Sequence, residues 1–182
     1  AAHAGNCLGE THTLSLPVTS GSSDYSYEWE MAESATSEEW EEVPENGNTA
    51  TYAASIADPG TTYYRVIITD NCGNHQLTKG PVQVTVWEEL DVEDLTDQTV
   101  CKDDEVTLTA TSTGGNGQYT YAWKQSANGT DWSDATGTNN EASYTPSTAT
   151  ASSATTYKVV VTDNCNNSIE KSATITVYSL PV

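Results

Sequence analysis

Apolar and polar side chains alternate along this chain in short runs. Tyr25, Tyr27 and Trp29 share one face of an extended segment while Ser26, Glu28 and Glu30 take the other. The same alternation returns with Tyr119, Tyr121 and Trp123 against Thr120, Ala122 and Lys124. A period of two marks a strand with one face buried. It recurs through Leu14, Leu16 and Val18, through Tyr64, Val66 and Ile68, and through Val82, Val84 and Val86. Later in the chain Val106, Leu108 and Ala110, then Tyr157, Val159 and Val161, then Ala173, Ile175 and Val177 do the same. Turn clusters separate the runs, among them Glu45-Asn46-Gly47-Asn48, Asp58-Pro59-Gly60 and Gly114-Gly115-Asn116-Gly117, whose residues favour tight reversals. No helical stripe is long enough to compete. The pattern predicts an all-β chain built as antiparallel sandwiches.

The pattern also repeats as a whole. Tyr27-Glu28-Trp29 returns as Tyr121-Ala122-Trp123, Trp40 as Trp132, Tyr52 as Tyr144, and Thr69-Asp70-Asn71-Cys72 as Thr162-Asp163-Asn164-Cys165. Read off the numbering, the offsets all fall between 92 and 94 residues. Two tandem sandwich domains are therefore expected, over residues 1–90 and 91–182 of the 182-residue chain, with roughly seven strands each. Asp91 to Val100 has the length to supply a first strand for the second domain.

Four cysteines allow three pairings. Equivalence of the two units selects Cys7 with Cys72 and Cys101 with Cys165, so each domain is expected to carry one structural disulfide. In the chain-entropy view each closed loop would contribute about 4 kcal/mol. Disulfides of this kind place a chain in an oxidising, extracytoplasmic compartment. A four-thiolate zinc site is excluded because no Cys-x-x-Cys pair occurs.

Charge narrows the partners. The formal net charge is −20 and Phe is absent. A field of that sign repels phosphate backbones and anionic lipid, which argues against nucleic acid and against membrane surfaces. No apolar run approaches the roughly 20 residues of a spanning helix, so no membrane insertion is expected. The opening Ala1-Ala2-His3-Ala4-Gly5 has neither the basic nor the apolar region of an export signal. Any such signal is expected to have been removed already.

One set of motifs carries a family resemblance. Tyr121 to Trp123, Ser126 to Trp132 with its Gly129 turn, Tyr144-Thr145, Thr155-Thr156-Tyr157 and Thr162 to Cys165 resemble the immunoglobulin-like and PKD-like repeats of large Bacteroidota cell-surface and secreted proteins. Both units carry the resemblance, although Met31 to Glu39 lacks the Gly turn before Trp40. It implies a sandwich module strung in series within adhesins, surface filaments and carbohydrate-active secreted proteins. It brings no catalytic residues with it.

The candidate site residues divide accordingly. Trp29, Trp123, Tyr64 and Tyr157 fall on inward faces and read as core aromatics. Trp40 and Trp132 follow short polar loops, where an indole can stack on a sugar ring; their repeated spacing to Tyr52 and Tyr144 suits a packing pair as well. Trp87 and Tyr178 fall on the outward parity at the end of each unit and suggest packing against a neighbour. Glu88, Glu89, Asp91, Glu93, Asp94 and Asp97 crowd the junction. Such carboxylates would suit calcium, against the plainer reading of a solvated acidic face, and no twelve-residue calcium loop is present. No other cofactor is expected. Serines are abundant without a positioned base, so no enzyme is read here.

The reading is a non-catalytic extracellular stalk, adhesive or filament-building segment of a bacterial surface protein. Its expected partners are other copies or neighbouring immunoglobulin-like domains, including by strand addition at an open edge. A carbohydrate-binding module of a secreted protein, with Trp40 or Trp132 contacting a glycan, is the alternative.

Overall fold

The computed structural model describes residues 5–19, 24–72, 75–150 and 153–179. Two compact units follow one another along the chain, residues 1–88 and 89–182. Leu90 sets the boundary slightly ahead of the expected position, because Leu90 and Val92 are buried in the second unit's core. Among the described residues there is no helix, so none is long and apolar enough to cross a membrane.

The first unit contains β1 (Thr11–Ser15), β2 (Tyr25–Ala32), β3 (Glu41–Glu42), β4 (Thr51–Ser55), β5 (Gly60–Asp70) and β6 (His75–Val86). One sheet has the order β3-β2-β5-β6 and the other pairs β1 with β4, all antiparallel. Alternation places Leu14 on β1 and Tyr52 and Ala54 on β4 against Trp29, Tyr64, Val66, Ile68 and Val84 of the larger sheet, and these residues form one buried cluster. The β5–β6 ladder shifts register between Tyr64 and Val66, whose partners are Val82 and Lys79. The extra residue lies in the Gly80-Pro81 stretch, which is where a strand tolerates a missing amide donor. Gly80 has φ 115°, and a Cβ there would stand 2.9 Å from the Tyr64 carbonyl oxygen. Only glycine fits this bulge.

The second unit contains β7 (Asp91–Val92), β8 (Gln98–Cys101), β9 (Leu108–Thr109), β10 (Ser112–Thr113), β11 (Tyr119–Ser126), β12 (Ser133–Asp134), β13 (Ser143–Tyr144), β14 (Ser153–Asp163) and β15 (Ser168–Tyr178). The main sheet runs β12-β11-β14-β15-β8, while β10 pairs with β7 and β13 with β9. The lead-in segment thus supplies two strands, one on each side of the sandwich. β8 joins β15 in parallel, the one departure from antiparallel pairing among the described strands. The β14–β15 ladder runs from Ser153 opposite Val177 to Thr162 opposite Ser168 without a bulge.

A column of three aromatic rings binds the sheets together in each unit. Trp29 lies 5.9 Å from Tyr52, which lies 5.6 Å from Tyr64. Trp123, Tyr144 and Tyr157 repeat the column at 5.6 and 5.5 Å. These centroid distances are in the range where ring contacts add to area burial. Each tryptophan is also tied down at every polar atom. The Trp29 amide donates to the Gly47 carbonyl at 2.8 Å, its carbonyl accepts from the Val43 amide at 3.1 Å, and Nε1 donates to the Thr49 carbonyl at 2.9 Å. For Trp123 the partners are Asn139 at 2.8 Å, Ala135 at 2.9 Å and Glu141 at 2.8 Å. The side chain that fills the core also fixes the loops that cross it, and the amide, carbonyl and indole nitrogen of each of these two tryptophans all have partners.

Two outcomes follow from this core. Trp123→Ala removes a fully buried indole and is expected to cost about 3–5 kcal/mol, read as a drop of the unfolding free energy in a urea titration followed by far-ultraviolet circular dichroism. A loss below about 1 kcal/mol, the scale of an ordinary surface change, would contradict the packing described. Burial, reinforced by the neighbouring Tyr52, pushes the Tyr64 hydroxyl from 10.0 up to about 12. Burial raises Tyr52 and Tyr157 as well. In the unfolded chain these hydroxyls ionise first, so their contribution is complete below pH 10 and is lost as pH rises towards about 12. Thermal melts are expected to fall steeply across that window and not below it, with a shallower fall in Tyr64→Phe.

Candidate functional site

The cysteines fall at opposite ends of each sandwich. In the second unit Cys101 pairs in register with Tyr178, at the end of β15. In the first, Asn6, next to Cys7, bridges Val86 at the end of β6. Those strand ends lie across from the starts of β14 and β5, since Val177 faces Ser153 and Val86 faces Gly60. Cys72 and Cys165 come just after the other ends of β5 and β14, each of which is 11 residues long. At about 3.3 Å per residue such a strand spans roughly 35 Å, whereas a disulfide requires Cα atoms within about 7 Å. The pairing expected within each unit, Cys7 with Cys72 and Cys101 with Cys165, is therefore not formed. Cys7 and Cys165 are disulfide-bonded, while Cys72 and Cys101 are exposed free thiols. The loop-closure stabilisation expected for each unit is absent with it, and stability within a unit comes from its packed core.

The local frames of the cysteines repeat between the units. The Cys7 amide donates to the Glu10 carboxylate and the Cys101 amide to that of Asp104, both at 3.1 Å. The carbonyls of the same two cysteines accept from the amides of Glu10 and Asp104, again at 3.1 Å. After the long strands, the Cys72 amide donates to Asp70 at 2.9 Å and the Cys165 amide to Asp163 at 2.8 Å. Asp163 is itself buried and also accepts from the Asn167 amide at 2.9 Å.

Trp40 and Trp132 are half-buried, and each has a cation over its ring. The Arg65 guanidinium stands 4.4 Å from the Trp40 ring centroid and the Lys158 ammonium 4.6 Å from that of Trp132. Glu30 pairs with Arg65 at 2.5 Å and Glu170 with Lys158 at 3.0 Å. Cation–ring contacts of this kind contribute about 0.5–1 kcal/mol at exposed positions. Trp40 Nε1 is taken by the Ser37 carbonyl at 2.9 Å. Sequence reading did not foresee the cations, although the signal was present: Arg65 and Lys158 hold the same place in Thr-Thr-Tyr-Tyr-Arg-Val-like and Thr-Thr-Tyr-Lys-Val runs. Trp29, Trp123, Tyr64 and Tyr157 are all buried. The hairpin that lacks a Gly turn before Trp40 still closes, with β3 facing Glu30 and Met31 and the Ser37 amide donating back to the Ser34 carbonyl at 3.1 Å.

Several of the acidic residues are engaged by neighbouring groups. Asp94 pairs with Lys171 at 2.5 Å, and this contact holds its carboxyl below the ordinary value and the lysine above it. Asp97 accepts from the Thr174 amide at 2.7 Å. Among the described residues no three His, Cys, Asp or Glu side chains are disposed to hold a metal ion. A shallow groove of about 600 Å³ on the first unit is lined by Glu28, Glu42, Glu45, Asn46, Asn48 and Thr69 among others. It holds carboxylates, amides and the Ser26 hydroxyl. Trp87 packs on Gly5, where a Cβ would come within 2.4 Å of the ring, and Tyr178 is 58% exposed.

Comparison with known proteins bears on the fold. A family model described as a domain of unknown function, DUF8696, matches residues 95–179, which lie in the second unit. The decoration protein of Escherichia phage T5 is 49% identical over 59 residues, 32% of this chain and 32% of that protein. The chain thus spans about a third of the length of that curated relative. A three-immunoglobulin-domain fragment of titin superposes with a TM-score of 0.58, at 18% identity, over 98% of this chain and 63% of that one. The two immunoglobulin domains of DIP-gamma superpose with a TM-score of 0.56, at 14% identity, over 96% and 92%. The fold is immunoglobulin-like. At these identities the likeness to solved structures is one of fold.

The cysteine assignment has a direct chemical consequence. Titration of the native chain with a thiol-reactive chromogen is expected to find two reactive thiols, Cys72 and Cys101, rising to four after reduction and unfolding. A native chain with none would contradict the assignment of Cys72 and Cys101 as free.

Proposed function

We propose that this chain is a non-catalytic display element on the outside of a virus particle or cell, presenting itself to protein partners through immunoglobulin-like units arranged in series. The observation that carries this reading is the disposition of the chemically distinctive side chains. In both units the corresponding tryptophan and tyrosines fill the core, and a cation at the corresponding position, Arg65 or Lys158, covers the second tryptophan, so the aromatic and cationic groups serve the scaffold twice over. What remains outside is mostly acidic and polar, with Leu8, Leu77 and Tyr178 the large apolar side chains exposed among the described residues, a surface whose charge resists lateral sticking. The partial likeness to a phage decoration protein supports the external setting and a role without catalysis. A bacterial surface stalk built from the same module is the cellular form of the reading, and other immunoglobulin-like domains are its natural partners.

The carbohydrate-binding alternative draws on Trp40 and Trp132, but a cation on one face of each indole and the Ser37 contact at the Trp40 nitrogen favour display. Antibody raised against the chain is expected to label intact particles or cells that carry it, without permeabilisation. A glycan array probed with the chain is expected to give the same background for wild type and for Trp40→Ala and Trp132→Ala. Labelling only after disruption would overturn the display reading. Glycan binding that Trp132→Ala abolishes in a folded chain would replace it with the alternative.

A further inference from the structure

Each free thiol has a counterpart in the same local frame that is already oxidised. Cys101 sits in the turn that Cys7 occupies, with identical 3.1 Å contacts to the acidic residue three positions on. Cys72 sits in the turn that Cys165 occupies, held by the aspartate two positions before it. Cys7 and Cys165 are bonded, whereas Cys101 and Cys72 are exposed and free. The oxidised cysteines comprise one from each kind of end, and so do the free ones. The two kinds of end are about 35 Å apart within a unit, judged from an eleven-residue strand. Neither unit can therefore satisfy its own free thiol with its own second cysteine.

We infer that Cys101 of one chain forms a disulfide with Cys72 of a second copy, coupling chains through unlike ends of their sandwiches. Such a contact is heterologous, and repeating it yields an open series, or a ring where the rotation closes. The oxidant is a small disulfide of the glutathione class. One thiolate attacks it, forming a mixed disulfide and releasing one small thiol; the second thiolate attacks that mixed disulfide and releases the other. Two protein thiols become one disulfide, and one small disulfide becomes two thiols. The coupling gives the display element a covalent partner but does not rest on the display reading, since single chains can be exposed whether or not they join.

The test is oxidation of the concentrated chain with oxidised glutathione, followed by non-reducing electrophoresis and mass spectrometric mapping of linked peptides. The expected result is a ladder of species that collapses on reduction, with a peptide joining Cys101 to Cys72. Cys72→Ser alone and Cys101→Ser alone remain monomeric, and mixing the two yields a dimer and nothing longer. Both positions are exposed, and an unchanged circular dichroism spectrum verifies that the serine variants fold. Failure of the mixture to link, self-coupling of either variant, or an internal Cys72–Cys101 bond in a monomer would overturn the inference. Loss of external labelling, by contrast, would bear on the display reading alone.

Discussion

The constraint on which each unit depends is the central tryptophan, a side chain too large to bury unless every polar atom around it finds a partner. Trp29 and Trp123 lie at the middle of a long strand, stack on a tyrosine from the opposite sheet, and each donate two hydrogen bonds to the neighbouring loops and accept one. An unmet indole or amide in that position would cost about 1–3 kcal/mol. The loops are therefore held in one course by the same residue that supplies the largest apolar surface. With no phenylalanine in the chain, and no disulfide inside either sandwich, the ring column carries much of what other small extracellular domains obtain from a cross-link.

That division of labour releases the cysteines for another purpose. Placing one at each end of a strand that runs the length of the sandwich makes them useless for closing the unit. Each is seated by an aspartate or glutamate that accepts its amide, so acidic side chains near the ends define turns as well as supplying charge.

Most of the fold is legible in the sequence because burial on one face imposes a period of two, and because duplication lets each strand be checked against its copy. Tyr25-Tyr27-Trp29 and Tyr119-Tyr121-Trp123 needed nothing further. Less of the rest could be read. The parallel strand Gln98–Cys101 and the split of the lead-in between two sheets depend on tertiary packing that leaves no periodic mark. The bulge at Gly80-Pro81 is signalled by its residues, but it has no counterpart in the second unit to confirm it. The cysteine pairing failed for a different reason. Repeat equivalence identifies positions that correspond, yet it is silent about whether two positions within a unit share an end, and only the strand register of β6 and β15 separates them. The cations over Trp40 and Trp132 were visible as a repeated position but not as a contact, since they lie on a strand distant in sequence from the indoles.

The claim that cysteines mark opposite ends of each sandwich is tested most directly by a distance. Spin labels on Cys7 and Cys72, in a chain carrying Cys101→Ser and Cys165→Ser, can be measured by double electron–electron resonance. The account predicts a separation above about 30 Å, as set by the length of an eleven-residue strand. A separation near 10 Å or below, close to the range in which two cysteines can approach for bonding, would contradict it.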